Sequence, residues 1–213
     1  MVKPPVLRIL IADDVGETRQ SIHMMMSLVP NSEVVAVVRN GREAIEMAMK
    51  HRPDVALIDI NMPELDGLTA IQTMRQHQPN LICIIISAEK DTPTLQRAIE
   101  VGAHGYLIKP ISTEQLLSVM ERASKLARDR WEKSQEAIEE HHQHIFFLEQ
   151  LAAEYAKAHK TDNQALRVFE ELAAEPDCKL RWLMTLSIVY VIRREWSKLQ
   201  ALAERLSKEQ RHA

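Results

Sequence analysis

Five polar side chains stand where apolar runs end. Asp13 and Asp14 follow "VLRILIA", Asp59 closes "VALID", Ser87 closes "LICIIIS", and Lys109 follows "YLI". A carboxylate at the end of a run that reads as a buried strand costs several kcal/mol unless something compensates it. Three clustered carboxylates also repel one another unless a cation neutralises them, and hard Mg²⁺ prefers oxygen ligands while keeping several waters. A carboxylate beside such an ion can attack a phosphoryl group, with the metal screening the developing charge. A lysine can pair with the transferred oxygens, and a serine hydroxyl can bond another. Taken singly, Asp14 reads as a helix cap or turn former and Lys109 as a surface lysine. The set reads as a site where Asp59 is phosphorylated.

Such a site needs strands that deliver all five residues to one edge. The first half of the chain alternates strand-like runs at 6–12, 34–38, 55–59, 81–87 and 106–108 with helix-like stretches. Asn40 with Glu43, and Ser112 with Gln115, form capping-box patterns, and Thr92-Pro93 offers a cap followed by proline. Strands apolar on both faces, each followed by a helix, imply a parallel sheet covered on both sides. In open α/β sheets the carboxyl ends of the strands form the ligand edge.

With these residues placed, the first 120 positions resemble the receiver domain of bacterial two-component response regulators. The resemblance rests on "ILIADD", "NGREAI", "PDVALIDINMPELDG", "IIISA" and "GAHGYLIKP", in that order. It implies a doubly wound (βα)5 fold with strand order 2-1-3-4-5. It implies Asp59 as phosphoacceptor, charged from the phosphohistidine of a histidine kinase or phosphotransfer protein. Mg²⁺ (or Mn²⁺) would be ligated by Asp14, Asp59 and the Asn61 backbone carbonyl, with Asp13 acting through water. Ser87 matches the hydroxyl switch position, Tyr106 the aromatic rotamer switch, and Lys109-Pro110 a usual cis-peptide site. Asn61 and Glu89 flank the path of the attacking water and would tune dephosphorylation; Glu89 also reads simply as a solvated loop residue. The surface that moves on phosphorylation would be about residues 92–122.

The rest of the chain changes character. All five glycines and eight of nine prolines lie at or before Pro110, whereas all three tryptophans come later. This predicts a receiver over 1–122, an extended helix or linker over 113–159, and a helical domain over 145–213. One heptad framing of the long helix sets Leu117, Trp131, Ile138, Ile145 and Ala152 at "a", with Met120, Ala127, Leu148 and Tyr155 at "d". Ser124, Ser134 and His141 interrupt it, so a homodimer through this seam competes with packing on its own domain. "LEQLAAEY" (148–155) and "LMTLSIVY" (183–190) share L-x-x-L-small-x-x-Y, 35 residues apart, and Ala165–Phe169–Leu172 is echoed by Leu199–Ala203–Leu206. Capping patterns at Thr161/Gln164 and Ser197/Gln200 precede both second segments. A helical hairpin repeated at that period resembles the tetratricopeptide repeat, although leucines stand where tryptophan is common; an unrelated bundle is the alternative. His141 and His144 share a helix face, but no acid or cysteine nearby in sequence completes a metal site, so they read as solvated.

Composition narrows the output. Residues 1–120 carry 11 basic against 14 acidic side chains, and 121–213 carry 16 against 16. A charge-neutral second half with no recognition-helix pattern argues against DNA, whose binding scales with lysine and arginine, although a DNA-binding output is the alternative reading. No glycine follows residue 120, which excludes glycine-rich phosphate loops there. The expectation is a phosphorylation-gated adaptor for an unknown downstream protein, not an enzyme beyond its own phosphorylation and dephosphorylation. No apolar run reaches the roughly 20 residues of a membrane span, and the start lacks a signal peptide, predicting a cytoplasmic chain. Cys83, inside a strand, reads as a small apolar filler.

Overall fold

The computed structural model describes residues 5–88 and 92–209. Its chain divides into two compact units, Met1–Lys133 and Ser134–Ala213.

In the first unit, β1 (Leu7–Ala12), β2 (Ser32–Val38), β3 (Val55–Asp59), β4 (Ile82–Ser87) and β5 (Gly105–Ile108) form one parallel sheet in the order 2-1-3-4-5. The helices between them are α1 (Gly16–Met26), α2 (Gly41–His51), α3 (Gly67–His77) and α4 (Thr92–Glu100), and α5 (Thr113–Lys157) follows the last strand. Residues alternate in direction along a strand, so each central strand feeds two cores. Leu10, Ala56, Ile58, Cys83 and Ile85 pack against α2, α3 and α4. Ile9, Ile11, Val55, Leu57, Ile82, Ile84 and Ile86 pack against α1 and the start of α5, through Ile22, Leu116, Val119 and Met120. That double burial is why these strands read as unbroken apolar runs. Burial pushes the Cys83 thiol up to about 12, leaving it an inert filler.

Local signals set the helix starts. Asn40 Oδ1 accepts from Glu43 N at 2.8 Å, but Glu43 returns its backbone bond to Arg39 N, one residue before the expected partner. The Ser112/Gln115 box closes in both directions at 3.2 Å. Thr92 is the first residue of α4, so Pro93 lies in the first turn, where a missing N–H costs nothing.

The second unit packs the end of α5 with α6 (Asn163–Ala174), α7 (Leu180–Arg193) and α8 (Trp196–Glu209). Its core holds Leu148, Ala152 and Tyr155 of α5 with Phe169, Leu172, Trp182, Leu183, Leu186 and Tyr190. Both tyrosines and both leading leucines of the repeated pattern are therefore buried. Two expected caps shift: Asp162, not Thr161, accepts from Gln164 N and Ala165 N, and Ser197 lies inside α8. Several of the heptad positions are taken up by the two cores, and others are not. Met120 is buried in the first unit and Leu148, Ala152 and Tyr155 in the second, while Ile138 between them is exposed.

Candidate functional site: a carboxylate–lysine pocket at the sheet edge

The carboxyl ends of four adjacent strands bring the five expected residues together. β1 delivers Asp13 and Asp14, β3 ends in Asp59, β4 ends in Ser87, and Lys109 follows β5. The register is fixed by the ladder: Asp59 pairs with Ile86, and Ser87 with Ile108. Lys109 N donates to the Ser87 carbonyl at 2.8 Å, tying the lysine to the end of β4. The Lys109–Pro110 peptide is cis. Asp13, Asp59 and Ser87 are buried, and Asp14 is exposed.

Lys109 Nζ lies 2.7 Å from Asp59 Oδ2 and 2.8 Å from Asp13 Oδ2. Burial disfavours the charged ammonium, but its contacts with the two carboxylates outweigh that and hold its pKa above the usual lysine value. Burial dominates at Asp59 and raises its pKa, and the charge of Asp13 adds to the rise. Lys109 and a hydrogen bond from the Asn61 backbone N–H oppose it. One cation thus serves a pocket that its carboxylates overfill.

Oxygens of Asp13, Asp14 and Asp59 all lie within 4.8 Å of one another. An octahedral Mg²⁺ with bonds of about 2.1 Å needs ligating oxygens roughly 3–4 Å apart, so this donor set fits a small hard cation. Asp13 supports the fit in a second way. Its Oδ1 accepts from Val15 N at 2.9 Å, but its buried Oδ2 accepts no directed hydrogen bond among the described residues and meets Lys109 as an ion pair only.

Tyr106 lies on β5, half-buried against the core shared with α2, α3 and α4. Asn61 is exposed in the loop after β3. Glu89 lies outside the described residues. Two positions that sequence reasoning missed hold the pocket in place. Arg19 Nη1 donates to the carbonyls of Asp13 at 2.7 Å and Asp14 at 3.0 Å, fixing the acidic turn from α1. Gly67 N donates to the Ile60 carbonyl at 2.9 Å, and a methyl at Gly67 would overlap the Asp59 carbonyl. The "DG" pair in "MPELDG" was the available signal: Asp66 caps α3 while Gly67 permits the close approach.

The histidine pair also finds partners that the sequence did not place. His141 Nε2 lies 3.0 Å from Glu175 Oε2, and His144 Nε2 lies 2.7 Å from Glu171 Oε1. Each histidine meets its own carboxylate. Among the described residues, the aspartate trio alone gathers three such ligand atoms within reach of one ion.

The response regulator receiver domain family matches residues 9–121. Protein-glutamate methylesterase/protein-glutamine glutaminase 2 of Carboxydothermus hydrogenoformans is 46% identical over 111 residues, 52% of this chain and 31% of that protein. The transcriptional regulatory protein DegU of Brevibacillus brevis is 32% identical over 114 residues, 54% of this chain and 48% of its own. The chain thus spans between about a third and a half of these curated relatives. Among solved structures, the REC domain of AraT, a response regulator from Geobacillus stearothermophilus, superposes with a TM-score of 0.54 at 34% identity. That match covers 61% of this chain and 98% of the other.

Proposed function

The chain belongs to the response regulator receiver family, and from that premise we propose that Asp59 accepts a phosphoryl group from a histidine kinase or phosphotransfer protein and thereby gates a protein–protein interaction of the helical unit. One observation carries the first half: a buried Asp59 carboxylate, 2.7 Å from Lys109, within a three-carboxylate group that fits a divalent ion.

Asp14, Asp59 and the Asn61 carbonyl would hold Mg²⁺ (or Mn²⁺), with Asp13 acting through water. The ion supplies positive charge that lowers the repulsion between an incoming phosphoryl group and the carboxylates. Asp59 attacks phosphorus in line, an oxygen–phosphorus bond forms, and the bond to the donor imidazole nitrogen breaks. Lys109 then pairs with a phosphoryl oxygen in place of the Asp59 oxygen it now holds. The Ser87 hydroxyl bonds another oxygen, and Tyr106 follows the movement of Ser87 as the switch. Asn61 and Glu89 set access for the water that later hydrolyses the acyl phosphate. Adding about −1.5 to −2 charges at one point of a buried pocket favours a minor conformation already present in the ensemble.

Binding rather than catalysis is proposed for the second unit. Its support is a balanced charge and four packed helical segments at the spacing of tetratricopeptide-like hairpins, α5 with α6 and α7 with α8. The methylesterase and transcription activities of the relatives belong to proteins of which this chain spans a third to a half.

Radiolabelled acetyl phosphate with Mg²⁺ tests the acceptor. The wild type labels in an acid-stable, base-labile form, chelation of Mg²⁺ suppresses it, and Asp59→Asn abolishes it. Full labelling of Asp59→Asn would overturn the assignment.

A further inference from the structure

Helix α7 is apolar on two opposite faces. Of its 14 residues only Arg181 and Arg193 are charged. Trp182, Leu183, Leu186, Val189 and Tyr190 enter the core of the second unit. Leu180, Met184, Ile188, Val191 and Ile192 point the other way and are between 46% and 66% exposed. Their spacing of three to four residues makes one continuous stripe of about 18 Å along the helix. Trp196, at the start of α8 and 58% exposed, follows Ile192 by four residues. A helix apolar all round is ordinarily buried all round, and α7 has one covered face only.

We infer that the exposed stripe of α7 is a self-association surface, covered by α7 of a second copy of this chain in an antiparallel, twofold-symmetric contact. Three observations select that occupant. The first is area. The six residues expose on the order of 600 Å², at the upper end for a patch on a monomer and near the about 800 Å² each partner contributes to a standard interface.

The second is self-complementarity. A twofold contact sets a patch against itself, so it must carry no unbalanced charge at its centre. Turned over about its midpoint, the stripe places Met184 opposite Ile188 of the second copy and Leu180 opposite Ile192, with Arg181 opposite Val191 toward either end, so the centre of the contact is apolar against apolar. Residues four apart also form the ridge that packs into the matching groove of an identical helix.

The third is the state of the flanking cations. Arg181 lies over the Trp182 ring at 4.3 Å, with Glu149 3.9 Å away. Arg193 is bound to Glu195 and to the Thr161 carbonyl. Lys198 contacts Glu170 and Glu195 at 2.9 and 3.0 Å. Arg193 and Lys198 are paired with carboxylates of their own unit, which lessens the repulsion that like ends would otherwise meet. The contact differs from the heptad seam of α5, and it does not depend on the phosphoacceptor reading, so either can fail alone.

Sedimentation velocity on the full chain tests the inference, over a concentration series from about 1 to 100 µM, with acetyl phosphate absent. A dimer is expected. Met184→Glu with Ile188→Glu should weaken it more than a hundredfold, with the circular dichroism spectrum unchanged and Asp59 labelling intact. Both changed side chains are solvent-exposed in one copy, so the fold tolerates them. Ile138→Glu, on the exposed middle of α5, should leave the dimer as it was. A monomer throughout the series, a dimer indifferent to the double change, or a dimer lost with Ile138→Glu would each overturn the proposal.

Discussion

At the scale of single residues, the pocket is a balance of charges that cannot all be satisfied by protein alone. Lys109 is shared between Asp13 and Asp59, and the Asp13 oxygen facing it accepts no directed hydrogen bond among the described residues. Two buried carboxylates beside a single ammonium store repulsion, which burial and Asp13 express as a raised pKa at Asp59. Asp13→Asn removes one of the like charges, at the cost of one contact, since its single amide oxygen can serve either Val15 N or Lys109. Without metal, this variant is expected to be more stable than the wild type, by about 1 kcal/mol, as the repulsion between Asp13 and Asp59 is relieved while Lys109 keeps its pairing with Asp59. The same change deletes a ligand-bearing charge, so the rise in Tm expected from millimolar Mg²⁺ in the wild type should shrink to near zero in the variant. Paired melts in chelator and in Mg²⁺ read both effects. A variant destabilised without metal would show that Asp13 is a net structural support, with no strain for an ion to relieve.

At the scale of elements, the ends of β1, β3 and β4 were legible because a run buried on both faces stops abruptly at a polar residue. The pocket was legible for the same reason, since Asp13, Asp59 and Ser87 occupy those stops. What stayed hidden depends on register between distant segments. Thr161 and Asp162 can both cap a helix, and the choice is tied to Arg193, whose guanidinium takes the Thr161 carbonyl at 2.7 Å. Glu171 and Glu175 could be matched to His144 and His141 only once α6 lay antiparallel to α5. Glu149 is another such case. It accepts from Lys179 at 2.6 Å and from Trp182 Nε1 at 3.0 Å, fastening the start of α7 to α5. The hydrogen bond from Lys179, more than any other contact, holds this carboxyl below the usual glutamate value, against the opposing effect of burial and with Trp182 and Arg181 assisting. A folded pKa below the unfolded one means stabilisation that is complete above the unfolded value and is lost as pH falls through the folded one. Glu149→Gln should thus cost the second unit about 1–2 kcal/mol at pH 7 and progressively less on acidification below about pH 4. Urea unfolding of both proteins at the two pH values measures the difference. An equal cost at both would mean that the carboxylate charge contributes nothing.

At the scale of the whole molecule, α5 belongs to both units, and its middle belongs to neither core. From Ser124 to Phe147 none of its residues is buried, whereas Val119, Met120 and Ala123 before that stretch and Leu148, Ala152 and Tyr155 after it are. Leu126 and Ala127 still pack on the first core and Ile145 on the second, so it is over about residues 131–140 that helix propagation rests on its own backbone bonds and surface pairs, which contribute little stability without tertiary packing. The two cores are therefore expected to melt as separate cooperative events. The aspartate group proposed to hold Mg²⁺ lies in the first unit, so the ion is expected to raise one calorimetric transition by RT ln(1 + [L]/Kd) and leave the other in place. A proline at exposed Glu136 makes the same point from the other side. It interrupts α5 at a local cost of about 3 kcal/mol, yet Asp59 labelling and both melting temperatures should persist, because neither core loses a buried contact. If both transitions instead move together with Mg²⁺ and Glu136→Pro uncouples them, the helix is a rigid joint, and a charge placed on Asp59 reaches the second unit through α5 itself.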